Sequence, residues 1–321
     1  MHVLIIGGTR FVGRLLTWRL LARGHRVTLL NRGKLPNPFG SAVELLRADR
    51  RTDAFGRALD RMRFDACVDF AAYDAPDVRG AIEHVACEHY VFISSGQVYL
   101  VRDRVPPACR EEDYEGALMA RPTGAYDLDE WDYGMKKRAC EDALADASVK
   151  KRYPATRLRI PMVNGENDFH GRIQKYLARL ARGEPVVLPD GGQTPMRHVY
   201  ADDVARGIVS LLGDDSTFGQ AYNLAQDETP TLAELVELLA ERMGAPARTE
   251  VVASSDLATR GVDIESISPF STHWMSFLET SKAKRELAWR PTPLGEHLGR
   301  IVAAWMAHGA EFINAPPTST A

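Results

Sequence analysis

Tyr133 and Lys137 stand four residues apart in the run Tyr133-Gly134-Met135-Lys136-Lys137, and on a helix that spacing puts a phenol and an ammonium on one face, one turn apart. A phenol titrates at about pH 10, so it serves as a base at neutral pH only where a nearby cation favours its phenolate. Lys137 carries that charge and can also hydrogen-bond a ribose. Of the ten tyrosines, only Tyr133 has a lysine four residues on. A further hydroxyl comes from Tyr90-Val91-Phe92-Ile93-Ser94-Ser95, an apolar run that ends in serines. Ser95 is read as the group that holds a substrate oxygen beside Tyr133 and so orients a proton transfer. Taken alone, the two serines read as turn and cap residues; combined with the glycine run and the Tyr133/Lys137 spacing, the pattern assigns Ser95, Tyr133 and Lys137 to catalysis.

The N-terminal residues match a dinucleotide site. Ile5-Ile6-Gly7-Gly8-Thr9-Arg10-Phe11-Val12-Gly13 follows an apolar run and opens a helical pattern, the context of a dinucleotide fingerprint. Gly7 would make the tight turn, Gly8 would let backbone N–H groups approach a pyrophosphate, and Gly13 would let helix pack on strand. Thr9, Arg10, Phe11 and Val12 complete the cradle, whose helix N-terminus favours an anion. After the second apolar run the chain reads Leu29-Leu30-Asn31-Arg32-Gly33. No carboxylate waits there for a ribose 2′-hydroxyl. Asn31 can still bond a hydroxyl, while Arg32, with Arg10, suits a 2′-phosphate, so NADP(H) is favoured over NAD(H). Asp49 is a candidate for the adenine amino group, and Ala71 is expected against the cofactor.

The elements that must position these groups are strands at Val3–Ile6, Arg26–Leu30, Val43–Arg47, Ala66–Phe70, Tyr90–Ser94 and Thr156–Ile160. They alternate with amphipathic stretches, including helices over Phe11–Arg23, closed by Gly24, and Val78–Val85. Runs such as VLII and YVFI are apolar throughout, as strands of a parallel sheet covered on both faces must be. The predicted fold is α/β, a Rossmann-type doubly wound parallel sheet with a smaller C-terminal substrate-binding lobe. The dinucleotide domain is assigned to residues 1–165 with a return of the chain at about 196–225. The lobe is assigned to 166–195 and 226–312, with a helix over Ile173–Arg182. A second helix, Leu232–Met243, is expected to start from a Thr231/Glu234 capping box. Residues 313–321 read as a flexible tail.

Composition excludes several classes. With 45% hydrophobic and 26% charged residues and a formal net charge of -3, the chain resembles neither a disordered tail nor a phosphate-backbone binder. The arginines of 47–63 are interleaved with Asp49, Asp53 and Asp60, as on a solvated face. Cys67, Cys87, Cys109 and Cys140 form no CxxC and have no histidine at ligand spacing, so reduced thiols and no metal site are expected, with Cys140 a buried small residue. The chain opens on a strand, and no apolar run reaches membrane-spanning length; a cytoplasmic protein is expected, with neither membrane nor nucleic acid as partner.

Taken together, GGTRFVG, FISSGQVY, YGMKKRACE, RIPMVNGEND, MRHVYADDVA and AYNLA resemble the extended short-chain dehydrogenase/reductase superfamily, specifically the NAD-dependent epimerase/dehydratase family, over nearly the whole chain. The resemblance implies catalytic roles for Ser95, Tyr133 and Lys137, a sugar-like small-molecule substrate, and a possible homodimer. It places Arg197 where family members hold the diphosphate of a sugar nucleotide; pairing of Arg197 with Asp202 or Asp203 is the competing reading. Three departures stand out. Arg10 replaces the middle glycine of the fingerprint, and Asn31 replaces the acid after the second strand. Gly96-Gln97 replaces the Asp-Glu pair with which similar sugar-nucleotide 4,6-dehydratases eliminate water, and neither residue can move a proton. Gln97 is therefore expected to bind substrate. Epimerisation and simple oxidation or reduction remain, through hydride transfer to or from the nicotinamide. Two alternatives stay open: an NADPH-dependent ketone reductase of specialised metabolism, and a non-catalytic RNA-binding relative. Trp274, Met275 and Phe277 read either as a lobe lining or as an apolar core.

Overall fold

The computed structural model describes residues 1–314, which divide into two compact units. The first comprises Met1–Pro161, Ala201–Ala225 and Ser276–Arg290; the second comprises Met162–Tyr200, Gln226–Met275 and the chain from Pro291 onward.

In the first unit seven parallel strands form one sheet. They are β1 (His2–Ile6), β2 (Arg26–Asn31), β3 (Glu44–Arg47), β4 (Ala66–Asp69), β5 (Tyr90–Ser95), β6 (Ala155–Ile160) and a last strand, Ala221–Asn223. Their order is Ala221–Asn223, β6, β5, β4, β1, β2, β3, so the direction of winding reverses between β1 and β4, where Ile6 pairs with Asp69. In such sheets the crevice at the carboxyl ends of the two switch-point strands receives ligands. The fold is the Rossmann-type one expected. All six expected strands are present, each shifted by at most one residue at either end, and Tyr90–Ser95 gains the second serine.

Helices α1 (Phe11–Ala22), α2 (Ala54–Leu59) and α3 (Ala75–His84) follow β1, β3 and β4, and a short helix α4 (Gln97–Leu100) follows β5. Gly24, in the left-handed region at φ +76°, ends α1 as expected. Leu4, Ile6, Leu30, Phe55, Val78, Tyr90, Phe92 and Leu144 form one continuous core. Each fully buried side chain of this kind contributes roughly 1.5–3 kcal/mol, which fixes the sheet on which the loops stand. Cys140 lies in the same core, and burial pushes its thiol up to about 12, so it is a filler rather than a nucleophile.

The longest helix of this unit, α5 (Ala125–Lys151), begins after Pro122-Thr123-Gly124 and ends at Arg152, in the left-handed region at φ +50°. Its buried stripe is not apolar. Lys137, Arg138 and Glu141 lie on it with Gly134, Cys140 and Leu144. The Glu141 carboxylate accepts Nε and Nη2 of Arg159, the latter at 2.6 Å, and the Ser94 hydroxyl at 2.5 Å. Arg159 Nη1 donates to the Tyr99 hydroxyl at 2.7 Å, and both ions are essentially buried. Residues 133, 137 and 141 therefore share one helix face, and the last of them fastens that face to β5 and β6.

The second unit has its own core, including Ile173, Leu177, Leu235, Leu239, Phe270, Met275 and Leu298. Its helix Leu232–Met243 starts at the expected capping box, with Glu234 N on Thr231 Oγ1 at 3.2 Å and Thr231 N on Glu234 Oε2 at 2.7 Å. The helix expected over Ile173–Arg182 spans Arg172–Ala181. Segment Ser276–Arg290, read from sequence as part of the lobe, clusters instead with the first unit. There Cys109 N donates to Phe277 O at 2.7 Å and the Trp289 indole to Asp203 O at 3.2 Å. Trp274 and Met275 are buried, in keeping with core use. Helix Leu294–Asn314 includes Ile313 and Asn314, so the tail reading fails for those two residues; the remainder, 315–321, lies outside the described residues. Among the described residues no helix is long and apolar enough to cross a membrane.

Removing one member of a buried ion pair strands the other charge in a dry interior, at a cost of about 3–5 kcal/mol. Glu141→Ala is expected to lower unfolding stability by that amount in urea titrations, and a loss under about 1 kcal/mol would show that α5 does not depend on this pair.

Candidate functional site

Ser95, Tyr133 and Lys137 come together at the carboxyl end of β5. Ser95 lies close enough to the Tyr133 phenol to favour its ionised form, and Ser95 Oγ accepts Gln97 N at 3.2 Å, which fixes its direction. Lys137 is buried, and its Nζ donates to Ala72 O at 2.8 Å and to Ile93 O at 2.9 Å. The ammonium lies 5.9 Å from the centre of the Tyr133 ring, 4.8 Å from that of Phe92 and 5.1 Å from that of Tyr73. The two serines divide their work: Ser94 holds Glu141 and Ser95 meets Tyr133.

One electrostatic expectation is corrected. Lys137 was expected to make the phenol acidic, yet Tyr133 is pushed above the ordinary tyrosine range by burial, only partly opposed by Ser95. The ammonium points at two backbone carbonyls rather than at the phenol oxygen. Burial likewise lowers Lys137 to about 8, against the opposing pull of Cys140, Asp69 and Glu141.

Gly134, unremarked in the sequence reading, permits this closeness. A Cβ there would stand 2.6 Å from Val101 Cγ1 and 2.8 Å from Gln97 O, so α5 could not approach α4 with any other residue beside Tyr133. Gly96 is constrained in the same way: a Cβ would fall 1.8 Å from Ser276 Oγ. A carboxylate at position 96 therefore has no room. Gln97 is buried, and its Nε2 donates to Glu130 Oε2.

The cradle has the shape the fingerprint requires, with two roles changed. Gly7 turns at φ +89°, and a Cβ on it would sit 3.4 Å from those of Ala71 and Phe70, which brings Ala71 to the cradle. Gly8 faces the sheet: a Cβ would lie 2.7 Å from Leu29 Cδ2 and 2.9 Å from Ile5 Cγ2, so its smallness serves packing rather than approach to a pyrophosphate. Gly13 packs on the turn itself, 2.8 Å separating its would-be Cβ from Gly7 O. Thr17, missed from sequence, braces the turn from behind by donating to Gly13 O at 2.8 Å and Gly8 O at 3.3 Å. Between them Thr9 and Arg10 lead into α1, where Phe11 takes a left-handed φ of +41° and Val12 is buried. The first turn of α1 holds no acid and no side-chain cap, a helix start suited to an anion.

At the end of β2, Asn31 Oδ1 accepts Gly33 N at 2.8 Å while its buried Nδ2 has no partner. A donor left unpaired there fits a ribose hydroxyl or phosphate oxygen. Arg32 is exposed beside it, and Arg47 lies close to Gly33. Asp49 is partly committed, its Oδ1 accepting Arg51 N at 3.0 Å. The residues present thus fit a nicotinamide dinucleotide.

Sequence reasoning also missed the ion cluster under the loop after β4. Arg50 makes paired bonds of 2.8 and 2.9 Å to the buried Asp69 and reaches Asp77 O at 2.6 Å; Asp69 and Asp77 in turn accept Ala71 N and Tyr73 N. The loop so held presents Ala72 O to Lys137. Arg197 belongs to the second unit, where its Nη1 donates to Met275 O at 3.0 Å; Asp202 and Asp203 are engaged by Arg19 and Arg206. Among the described residues no cluster of histidine, cysteine, aspartate or glutamate could hold a metal ion.

A sequence model of the NAD dependent epimerase/dehydratase family matches residues 3–83 and 77–225. The chain belongs to this family. As a member of the epimerase/dehydratase family it is an NAD(P)-dependent enzyme of the extended short-chain dehydrogenase/reductase type. It is similar to a dTDP-6-deoxy-L-talose 4-dehydrogenase (NAD(P)(+)) of Kitasatospora kifunensis, 27% identical over 312 residues, 90% of this chain and 91% of that protein. It is also similar to the chloroplast stem-loop binding protein of 41 kDa b of Arabidopsis thaliana, 26% identical over 304 residues, 90% of this chain and 75% of that one. Among solved structures the epimerase Mth375 of Methanothermobacter thermautotrophicus shares the fold with a TM-score of 0.78 at 18% identity, covering 98% of this chain and 94% of that one. The UDP-glucose 4-epimerase of Thermotoga maritima, solved with UDP-glucose, does so with a TM-score of 0.73 at 19% identity, covering 96% and 99%.

The lowered Lys137 has a signed consequence. The unfolded lysine titrates at about 10.4 and the folded one at about 8, so between those values the unfolded chain binds more protons and stability rises with pH. The stability of the wild type relative to Lys137→Met is expected to climb by on the order of 2–3 kcal/mol from pH 7 to pH 10. A flat difference in urea unfolding would show that the ammonium is not desolvated.

Proposed function

We propose that this protein is an NAD(P)-dependent oxidoreductase or epimerase that acts by hydride transfer on a sugar, most specifically a sugar nucleotide. The observation that carries the reading is the convergence of Ser95, Tyr133 and the doubly anchored Lys137 at the sheet edge next to the glycine cradle. Similarity to a dTDP-6-deoxy-L-talose 4-dehydrogenase supports a hexose carbon as the reacting centre, as do neighbours solved with UDP-glucose and NAD.

The cradle Gly7–Gly13 and the N-terminus of α1 would hold the pyrophosphate, Asn31 and Arg32 the adenosine ribose, and Lys137 the nicotinamide ribose. When bound, the nicotinamide accepts or returns the hydride. Ser95 then holds the substrate oxygen, and the Tyr133 hydroxyl gives or takes its proton. Because burial favours the neutral form of Tyr133, its hydroxyl is set to donate a proton; a base role would require added positive charge nearby, which an oxidised nicotinamide could supply. NADP(H) is preferred on the chemistry of the β2 edge, which offers Asn31 Nδ2 and Arg32 and no carboxylate. Arg197 is proposed to hold the substrate diphosphate.

The stem-loop binding relative favours a second reading, a protein that binds RNA. The Ser95/Tyr133/Lys137 set supports the first reading over it. Absorbance and fluorescence of the purified protein separate them, since bound nicotinamide speaks for the first and co-purifying nucleic acid for the second.

Tyr133→Phe is expected to leave cofactor affinity nearly unchanged and to reduce turnover by about 10²-fold or more; wild-type turnover would remove Tyr133 from the chemistry. In fluorescence titrations Arg32→Ala should weaken NADPH more than NADH, and equal losses would reject the 2′-phosphate role.

A further inference from the structure

The site contains a carboxylate that the mechanism above leaves unused. Glu130 lies on α5 three residues before Tyr133, hence on a neighbouring part of the same helix face. Its Oε2 receives Nε2 of Gln97, the buried residue whose own backbone N–H holds Ser95 Oγ. Gln97 thus ties the carboxylate and the catalytic serine to one side chain. The negative charge of Glu130 is also among the influences that keep the Tyr133 phenol protonated, which places it within electrostatic reach of that hydroxyl.

We propose that Glu130, positioned by Gln97, is a further catalytic residue of this site, a base for the C–H bond next to the substrate's carbonyl carbon. The assignment rests on the sugar reading given above. It restores from the helix a function that the strand end cannot supply, since Gly96 has no room for a side chain and Gln97 has no acidic proton to exchange. In the step itself the C–H bond beside the ketone breaks, and its proton passes to the Glu130 carboxylate. The bonding pair moves into the carbon–carbon bond, and the carbonyl pair moves to oxygen, where the Ser95 and Tyr133 hydroxyls stabilise the enolate. Return of a proton to the same carbon restores the ketone. No oxidant is consumed, and return from the opposite face inverts that carbon. The chemistry open to the enzyme then extends from the oxidised carbon to its neighbour.

The test uses the full chain with NADPH, with two probes: a dTDP-linked 6-deoxy-4-ketohexose, and UDP-glucose supplied with NAD⁺ or NADP⁺, both in D₂O. Mass spectrometry reads deuterium in the sugar and absorbance reads the cofactor. The wild type is expected to reduce the ketone and to exchange the hydrogen beside it. Glu130→Gln, which keeps an oxygen for Gln97, should slow exchange by about 10²–10⁴-fold, a far larger loss than any in ketone reduction. Gln97→Met retains the carboxylate without its clamp, so exchange should fall and its pH dependence should move. Exchange undiminished in Glu130→Gln, or reduction by the wild type without exchange above the enzyme-free rate, overturns the assignment and leaves the sugar reading standing. Neither reduction nor exchange with either probe overturns the sugar reading, and the role of Glu130 falls with it.

Discussion

One buried cation organises this molecule's candidate site. Lys137 gives up its water to lie among Phe92, Tyr73 and Tyr133, and the loss is offset by two backbone carbonyls from different parts of the sheet edge, Ile93 O and Ala72 O. Those carbonyls belong to β5 and to the loop after β4, so the ammonium joins the strand that carries Ser95 to the loop that meets the cradle. Everything else arranges itself around that join. Glu141 and Arg159 press the same face of α5 onto β5 and β6 one turn further on, and Arg50 with Asp69 and Asp77 stiffens the loop from beneath. The packing is ionic where most cores are apolar, so its strength depends on complete pairing rather than on area.

The fold was legible because parallel strands buried on both faces have to be largely apolar, and the runs Val3–Ile6 of β1 and Tyr90–Ile93 of β5 are. Gly24 and the Thr231/Glu234 box were legible for a related reason: a left-handed residue and a reciprocal cap each demand particular side chains. The residues Ser95, Tyr133 and Lys137 were readable from type and spacing. What surrounds them was not. The buried face of α5 carries Lys137, Arg138 and Glu141, a pattern that on hydrophobicity alone reads as exposed. Arg50 stood in an arginine-rich stretch taken as a solvated face, and only the fold brings Asp69 and Asp77 to it. Segment 276–290 joins the first unit through backbone contacts, Phe277 O among them, which leave no trace in residue types.

The departures from the dehydratase pattern now have a steric cause. Gly96 is small because Ser276 occupies the space where a side chain would go, and Gly134 is small because α5 touches the Gln97 carbonyl. The same crowding fixes Gln97 between Ser95 and Glu130, and it turns Gly8 toward Ile5 and Leu29 instead of toward solvent. At Gly8, Gly13, Gly96 and Gly134 smallness records where backbone and helix must nearly touch, whereas at Gly7 and Gly24 it records a demanded turn.

The phenol follows the same economy of space. Enclosed by its surroundings, Tyr133 is held in its protonated form, so the site is ready to give a proton and must acquire positive charge to take one. The account therefore turns on Lys137 being a dehydrated, anchored ammonium with one N–H left to offer. Direct observation of its side-chain nitrogen by ¹⁵N NMR across a pH titration tests this most closely. The account predicts a midpoint close to 8 that moves upward when NADPH binds. A midpoint at about 10.4, as for a lysine in water, with no response to the cofactor would contradict it.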